Sequence, residues 1–375
     1  MDTRADDDQQ AEVPGRTGSA AIPPAGYAIA ELDPTDRAGL AEVVALEAAG
    51  WFEVLGTDDL AVDLDVWASN LTPTPYRERT VLIARHLTTG RIDGYVMCSL
   101  RLREDTDLLD FELQVRSECR RRGIGRALLA AAQEFGARSG RTRAMTYCTQ
   151  REAAPGDPEA LIPATGSGRV PADSASTRFA LATGHRLEQT ERHSVLDLPV
   201  DIEGLWSTLG ERTAGYRFRT WTRFTPEDLL EPLAALRSQM SVDVPTGELP
   251  REREIWDAER VRRADQRVAD SGSVVLFTVA ERIADGELAA YTVLEQLPSR
   301  PQVAHQGDTF VLASHRGHGL GLAVKLVNHQ AAVAAFDRLQ RVHTWNAEEN
   351  RWMLEINQSL GYRPLAVESV WARQF

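Results

Sequence analysis

Two short glycine-rich stretches place groups that could bind phosphate at two points of the chain. They read Arg120-x-x-Gly123-x-Gly125 and Arg316-x-x-Gly319-x-Gly321, and an apolar helical pattern follows each one. Unpaired amides at a helix N-terminus, together with the helix dipole, favour a phosphate or pyrophosphate. Glycine lets a ligand approach the backbone closely, and arginine adds charge-assisted contacts. Each stretch is therefore a candidate phosphate loop, although a tight turn would also explain such a stretch on its own.

Two better-known phosphate motifs do not fit these stretches. The dinucleotide fingerprint Gly-x-Gly-x-x-Gly fails because an arginine stands first in each loop, and the P-loop fails because no Gly-Lys-Ser/Thr follows. The loops therefore need another explanation.

The spacing between the two loops organises the whole chain. Gly123 and Gly319 lie 196 residues apart, and the same offset relates Tyr95 to Tyr291. Near the ends of the copies the offset falls to 177, so the first copy carries 19 extra residues, which fit a Pro/Gly-rich loop over 151–172. Two long copies indicate a duplicated domain rather than a solenoid.

The elements that must position the loops follow from periodicity. Each copy is predicted to contain a strand, two helices, three strands, a helix, a strand, a helix and two strands. In the second copy, helices are expected over 224–240 and 251–270, and Gly361 is expected to cap a later helix. The domains join near 200–214.

Composition narrows the class of protein. The chain has 375 residues, 43% of them hydrophobic, which suits a soluble protein of two domains. A net charge of −13 disfavours nucleic acid or an anionic membrane as the main partner. The three cysteines lack metal-ligand spacing, so no metal is expected, and a reducing cytoplasm is the default location. Residues 1–25 are interpreted as a disordered leader.

The Arg-x-x-Gly-x-Gly spacing between a strand and a helix resembles the pyrophosphate motif of the GNAT superfamily of acyl-CoA-dependent N-acetyltransferases. The resemblance covers about residues 26–375, and the second copy adds Asn350, Asn357 and the ending Leu360–Tyr362. Two fused copies look like tandem GNAT proteins, a group to which mycothiol synthase is related. The resemblance implies an α/β (α+β) fold of two tandem domains, residues 26–205 and 206–375, each a mixed, mostly antiparallel sheet flanked by helices.

The resemblance also implies where the cofactor, acetyl-CoA or another acyl-CoA, would lie. The backbone before each loop would pair with the pantetheine arm, the loop amides would hold the pyrophosphate, and an asparagine would contact the arm. These positions are Val311, Leu312, Arg316, Gly317, His318, Gly319, Leu320, Gly321, Asn346 and Asn350 in the second copy, and Val115, Arg116, Arg121, Arg122, Gly123, Ile124, Gly125 and Arg126 in the first. For Asn350, capping of the following helix explains the residue equally well.

Acyl transfer to an amine needs a base, and Asp308 and Glu112 hold corresponding places on the strands before the loops. A structural hydrogen bond is the alternative for both. Many family members place a tyrosine that acts as general acid seven residues after the asparagine. In this chain Asn357 stands at that position in the second copy, and Ala180 stands there in the first copy. Tyr362, His318 and His343 are possible substitutes that the sequence does not rank.

The sequence therefore predicts an acetyltransferase that acts on a small-molecule amine, with the chemistry in the second copy, which is better preserved. Asp243 is a candidate contact for a cationic amine, with an Asx turn as its alternative. The competing hypotheses are a non-catalytic acyl-CoA sensor or scaffold, because both copies lack the tyrosine, and an O-acyl or longer-chain transferase. The sequence leaves open whether the protein is a monomer or a dimer.

Overall fold

The structure is a computed structural model that describes residues 23–245, 247 and 251–375. Of the leader predicted for residues 1–25, residues 1–22 lie outside the described residues. We call residues 26–205 the N-terminal half and residues 206–375 the C-terminal half.

The described part of the N-terminal half contains six strands and five helices, the last of which begins the connection to the C-terminal half. In chain order they are β1 (Tyr27–Glu31), α1 (Arg37–Leu55), α2 (Leu64–Asn70), β2 (Arg77–His86), β3 (Ile92–Arg101), β4 (Leu108–Val115), α3 (Ile124–Arg138), β5 (Arg143–Gln150), α4 (Ala175–Ala182), β6 (Arg186–Asp197) and α5 (Ile202–Leu209). The long connection before α4 is a loop with one isolated bridge between Leu161 and Val170, as the sequence predicts.

The described part of the C-terminal half repeats this order. Its elements are β7 (Tyr216–Thr222), α6 (Leu230–Asp243), α7 (Ala258–Ser271), β8 (Val274–Arg282), β9 (Leu288–Gln296), β10 (Val303–Val311), α8 (Leu320–Ala335), β11 (Arg341–Ala347), α9 (Arg351–Leu360) and β12 (Arg363–Gln374). Asn350 caps the N-terminus of α9, and Gly361, with a φ of 97°, ends it as the sequence predicts.

All strands join one sheet of 12 strands, in the order β1-β2-β3-β4-β5-β12-β6-β11-β10-β9-β8-β7. Only the β4–β5 and β10–β11 pairs are parallel among the described strands. The last strand of each half crosses to the other half, since β12 pairs with β5 and β6 pairs with β11. The two halves are therefore interlocked through their final strands.

Each half buries apolar residues on both faces of the sheet. In the N-terminal half, α1 and α2 cover one face with Leu40, Val43 and Trp67. On the opposite face, α3 buries Leu128 and Ala132 against β2, β3 and β4. This two-sided burial explains the near-continuous apolar run of β2.

Two sequence predictions of local structure are wrong. The helix expected from residue 251 begins at Ala258, where Asp257 accepts a hydrogen bond from the Arg260 amide. Residues 251–254 instead bind the turn after β3, where Asp105 accepts from the Glu252 amide at 2.9 Å. Each half also ends in one long strand rather than two short ones.

A second contact joins the halves on the face covered by α1. Asp59, which follows α1, accepts two hydrogen bonds from the Arg341 guanidinium at 2.6 and 2.8 Å, and contacts His343 at 3.1 Å. Asp59 is only 2% exposed, so this ion pair is largely shielded from water. Among the described helices, none is long and apolar enough to cross a membrane.

Candidate active site

The two phosphate loops have the same backbone path. The first has positive φ angles at Arg121 (64°) and Gly123 (87°), and the second at Gly317 (86°) and Gly319 (71°). A non-glycine residue rarely adopts a positive φ, so the surrounding loop must impose this conformation on Arg121. Each loop ends at the N-terminus of a helix, α3 or α8.

The amides of both loops are free to bind a ligand. Among the described residues, the N–H groups from Arg121 to Arg126 and from Gly317 to Leu322 have no hydrogen-bond acceptor, whereas those of Ala127 and Ala323 begin the helical pattern. A row of unpaired amides at a helix N-terminus favours a phosphate. Both loops could therefore hold the pyrophosphate of a CoA through their backbone.

The first arginine of each motif closes its loop instead of facing the ligand site. Arg120 donates to the carbonyl of Val115 at 3.1 Å and forms a bidentate pair with Glu53 of α1. Arg316 repeats this arrangement, donating to the Val311 carbonyl at 3.4 Å and to Asp243 at 3.3 Å. Arg316, which the resemblance assigns to the cofactor, is thus already paired.

The same pairing bears on two other predicted positions. The carboxylate of Asp243, expected to contact a cationic amine, faces Arg316 and also accepts from Gln239. Arg116 donates to the Ile92 carbonyl and lies 3.4 Å from Asp93. The roles predicted for Asp243 and Arg116 at a ligand thus remain predictions, and the structure gives each residue a protein partner.

The two loops differ in charge and in openness. Arg121, Arg122, Gly123 and Arg126 are exposed, and Arg121 and Arg126 pair with no acceptor among the described residues. In the C-terminal half, by contrast, a side chain on Gly319 would meet Leu209 of α5 at 2.7 Å, and one on Gly321 would meet Ile356 of α9 at 2.9 Å. The first loop is more positive and more open.

Two further loop positions, Ile124 and Leu320, are packed into the protein, and the exposed His318 is bonded to the loop itself. The side chains of Ile124 and Leu320 are buried at the start of their helices, so only their amides face the loop. His318 directs Nδ1 to the carbonyl of His315, whose ring in turn bonds to Tyr216 and Glu287. The histidines of the second loop therefore support its shape.

Each loop lies at the open end of a gap between two parallel strands. The β4–β5 ladder contains only the pairs from Leu108–Arg143 to Phe111–Thr146, and the β10–β11 ladder those from Val303–Arg341 to Gln306–Thr344. Beyond these pairs the ladders end, which leaves backbone groups from Glu112 to Val115 and from Gly307 to Val311 without a strand partner on that side. We call these gaps the N-terminal and C-terminal splays. An extended ligand arm could pair with either edge.

Glu112 begins the β4 edge of the N-terminal splay, with Tyr147 of β5 across from it. Tyr147 lines an open cavity of about 230 Å³ that is closed on its far side by Arg251, Glu252 and Glu254 of the C-terminal half. A second cavity of about 200 Å³ lies between α1 and the first loop, lined by Gln114, Ser117 and Arg120 among others. Both cavities adjoin the N-terminal splay.

Three carboxyl groups near the N-terminal splay, which line neither cavity, have raised pKa values. Burial, then the charge of Glu112, raises the pKa of Glu47 to about 7, and burial, then Glu191 and Glu112, raises the pKa of Glu368 to about 8. Burial also raises the pKa of Glu112, although its side chain is accessible to solvent. Both observations fit a carboxyl group that has many neighbouring atoms but lies at the open edge of the splay.

Asp308 sits differently in the C-terminal half. The pairing of β10 with β9 shifts by one residue between Gln306 and Thr309, which places Asp308 in a bulge. Its carboxylate accepts from the Tyr291 hydroxyl at 3.1 Å. No such shift interrupts β4, where Glu112 pairs regularly with Met97. Asp308 therefore has a hydrogen-bond partner, whereas Glu112 has none among the described residues.

The remaining predicted residues of the C-terminal half divide between core and splay. Tyr362 is buried, its hydroxyl has no partner among the described residues, and burial raises its pKa above the ordinary range. This position gives no geometric support to Tyr362 as an acid. Asn350 caps α9 through the Met353 amide, whereas Asn346 lies on β11 beside the splay. Val311 and Leu312 line the end of the β10 edge, where the Leu312 amide bonds to Ala289.

Sequence reasoning missed Glu47, Glu368 and Lys325. Glu47 stands on the buried side of α1, one residue from Leu46, and Lys325 interrupts the Ala/Val/Leu run of α8. A charge inside an apolar helical face was a usable signal for both. Glu368 carried no such signal, because its place depends on the crossing of β12 into the N-terminal half.

Comparisons with known proteins agree with this geometry. The sequence of residues 40–154 matches the Acetyltransferase (GNAT) family. The matched segment contains the first loop, the N-terminal splay and Glu112, while no curated protein sequence matches the chain.

Solved structures extend the likeness to the whole chain. A tandem GNAT protein from the clavulanic acid biosynthesis pathway is 24% identical, with a TM-score of 0.72 over 93% of this chain and 98% of that one. A GCN5-related N-acetyltransferase from Sphaerobacter thermophilus is 14% identical, with a TM-score of 0.63 over 94% and 97%. Saccharomyces cerevisiae N-myristoyltransferase with bound myristoyl-CoA is 9% identical, with a TM-score of 0.55 over 94% and 80%. The chain thus has the fold of these tandem GNAT proteins.

Proposed function

We propose that the protein is an N-acetyltransferase that transfers the acetyl group of acetyl-CoA to a small-molecule amine, with the reaction in the N-terminal half. The observation that carries the proposal is a convergence at one splay. An open, arginine-rich phosphate loop and a free strand edge adjoin there, and a carboxylate-lined cavity reaches the splay at Tyr147.

The first loop would bind the CoA pyrophosphate through its amides from Arg121 to Arg126. Arg121 and Arg126, exposed and free of ion pairs among the described residues, would add charge-assisted contacts. The pantetheine arm would then follow the β4 edge toward Glu112. This order puts the thioester near the cavity that Tyr147 lines.

Glu112 is the proposed base. An amine enters as its ammonium form, and Glu112 removes a proton directly or through one water. The neutral nitrogen then attacks the thioester carbonyl and an N–C bond forms. The C–S bond breaks with its electron pair on sulfur, and the proton that the nitrogen must still lose passes through water to the thiolate. A raised carboxyl pKa suits this task, because a base works best when its pKa lies near the working pH. A thiolate leaves without an acid more readily than an alkoxide does, since a thiol pKa is near 8.5.

The acceptor would occupy the cavity between the halves. Glu191 and Glu252 line it, and Glu368 pairs with Glu191 on the neighbouring strand. Burial raises the pKa of both Glu191 and Glu368, and a bound cation would favour their ionised forms, so the cavity suits a cationic amine. Arg101 and Arg251 also line it, but their charges are balanced by Asp105, Asp110 and Glu254.

This assignment differs from the expectation that the C-terminal half is catalytic. The sequence favoured that half for its Asn-to-Gly361 helix, yet Asn350 serves as a helix cap and Asp308 is bonded to Tyr291. The openness of the first loop and the two adjacent cavities support the N-terminal half instead.

A second candidate function is an acyl-CoA sensor without turnover. The observation that favours it is Ala180, which stands in α4 where many family members carry the acidic tyrosine. Incubation with acetyl-CoA and a panel of small amines, read by thiol release and by product mass, separates the two. Transfer abolished by Glu112→Gln supports the enzyme, whereas acetyl-CoA binding without transfer to any amine supports the sensor.

A further inference from the structure

Helix α8 of the C-terminal half buries a lysine beneath the C-terminal splay. Lys325 is 1% exposed, and its Nζ donates to Oδ1 of Asn357 at 2.7 Å. No carboxylate of the described residues lies within ion-pair distance of it, and burial alone lowers its pKa to about 7. A buried amine held by one neutral amide costs stability, so packing does not explain it.

The hydrogen bonds beyond Lys325 all run in one direction. An ammonium group can only donate, so the Asn357 atom that it contacts must be the carbonyl oxygen. Nδ2 of Asn357 then donates to Oδ1 of Asn346. This fixes the orientation of both amides and leaves Nδ2 of Asn346 as a free donor. Such aligned bonds polarise one another, which strengthens the last donor.

The free end of this donor chain lies at the splay. Asn346 stands two residues beyond Thr344, the last β11 residue paired with β10, and it is half-buried. The C-terminal loop, with its free amides, begins just past the end of β10. A ligand with a phosphate on that loop and an extended arm between the strands would pass the Asn346 amide.

The N-terminal half has no such chain. At the offsets of the repeat, Leu129 corresponds to Lys325 and Ala180 to Asn357. Cys148, two residues beyond the last paired residue Thr146, takes the place of Asn346. The donor chain is therefore a property of the C-terminal half alone.

The other groups around Lys325 leave it as the one cation there. His329, one turn further along α8, is buried with both ring nitrogens unpaired among the described residues, and burial, then the charge of Lys325, lowers its pKa to about 3. The ring of Tyr362 lies 5.7 Å from Nζ. Because no described residue brings a negative charge within ion-pair distance of Lys325, a ligand would have to supply it.

We propose that the C-terminal half binds CoA separately and that the Lys325–Asn357–Asn346 chain stabilises the CoA sulfur as its thiolate. The thiol loses its proton to water, and the negative sulfur accepts from Nδ2 of Asn346. The thiolate and the ammonium favour each other's charged forms, so the thiol titrates at a lower pH when the chain is intact. This inference does not rest on the proposed function, which concerns the other splay.

The test uses the full-length chain with Gly123→Val, which closes the first loop, and CoA itself as the probe. The absorbance of the bound thiolate in the far ultraviolet is followed between pH 6 and 10 against protein alone. The expected midpoint lies at least about one pH unit below the ordinary thiol value of about 8.5. Lys325→Met should return the midpoint to about that value.

Two further variants keep the result interpretable. Asn346→Ala removes the last donor without altering the buried lysine, and it should raise the midpoint as Lys325→Met does. Ser359→Ala, on the exposed side of α9, should leave the midpoint unchanged. The inference is overturned if the Gly123→Val chain does not bind CoA, if its midpoint is unshifted, or if the shift survives both Lys325→Met and Asn346→Ala.

Discussion

The two halves of this protein share one backbone plan and place different chemistry on it. Both contain a loop of free amides, a motif arginine that closes the loop, and a splay between two parallel strands. Around the first splay lie an open cavity and carboxylates with raised pKa values. Beneath the second lies a buried lysine in a chain of amides.

The difference shows how a duplicated fold can separate its tasks. The amides come from backbone geometry, which any sequence with suitable glycines retains. The acid–base groups come from single side chains, which change independently. Conservation of the loop spacing therefore indicates where CoA could bind, and the side chains at each splay decide what happens there.

The largest expected effect comes from removing the proposed base. Glu112→Gln should lower turnover by about 10²-fold, a typical contribution of a general base, while acetyl-CoA binding stays almost unchanged. Asp308→Asn is the matched variant of the other half and should change turnover less than about twofold. Steady-state rates of thiol release measure both. The opposite ranking would move the chemistry to the C-terminal half.

Binding of the cofactor should depend on the first loop. Valine at Gly123 cannot readily hold a φ of 87°, so the amides move and acetyl-CoA should bind the N-terminal site at least tenfold more weakly. Gly317→Val imposes the same backbone strain in the second loop, where the new side chain meets no atom within 4 Å. Calorimetry should show that Gly317→Val still binds acetyl-CoA at the N-terminal site with unchanged affinity. Equal affinity of Gly123→Val and the unaltered chain would count against the first loop.

Much of this organisation follows from local pattern. The glycine spacing predicted both loops, and β-branched runs predicted strands such as β8, because these features depend on neighbouring residues alone. The exchange of β6 and β12 could not be predicted, since the alternation of a strand does not identify its partner. The ion pairs of the motif arginines could not be predicted for a related reason. Their partners, Glu53 and Asp243, lie far away in sequence.

The interlocking of the halves can be tested through Asp59. Asp59→Asn removes one charge of a shielded pair with Arg341 and should lower the free energy of unfolding by about 1–3 kcal/mol. Asp58→Asn is the control, because Asp58 is exposed and lies 3.5 Å from Arg300, where an ion pair contributes little. Denaturant unfolding of both variants gives the comparison. Similar losses in the two would mean that the Asp59 contact does not hold the halves together.

A smaller effect concerns the pH dependence of the reaction. The charge of Arg79 lowers the pKa of Glu112, and the C-terminal half has Val275 at the corresponding position. Arg79→Met should therefore raise the pKa of Glu112. As the pH falls, the variant should then lose its activity at a higher pH than the unaltered protein does. The acid limb of kcat/KM should move upward by up to about one pH unit. A shift downward, or none, would argue that Glu112 is not the titrating base.

The most direct test of the difference between the halves is a crystal structure with a non-reactive acetyl-CoA analogue. We expect the pyrophosphate on the amides from Arg121 to Arg126, and the acetyl carbonyl in the N-terminal splay within water-mediated reach of Glu112. An occupied C-terminal splay with its acetyl carbonyl facing Asp308, beside an empty N-terminal one, would contradict the account.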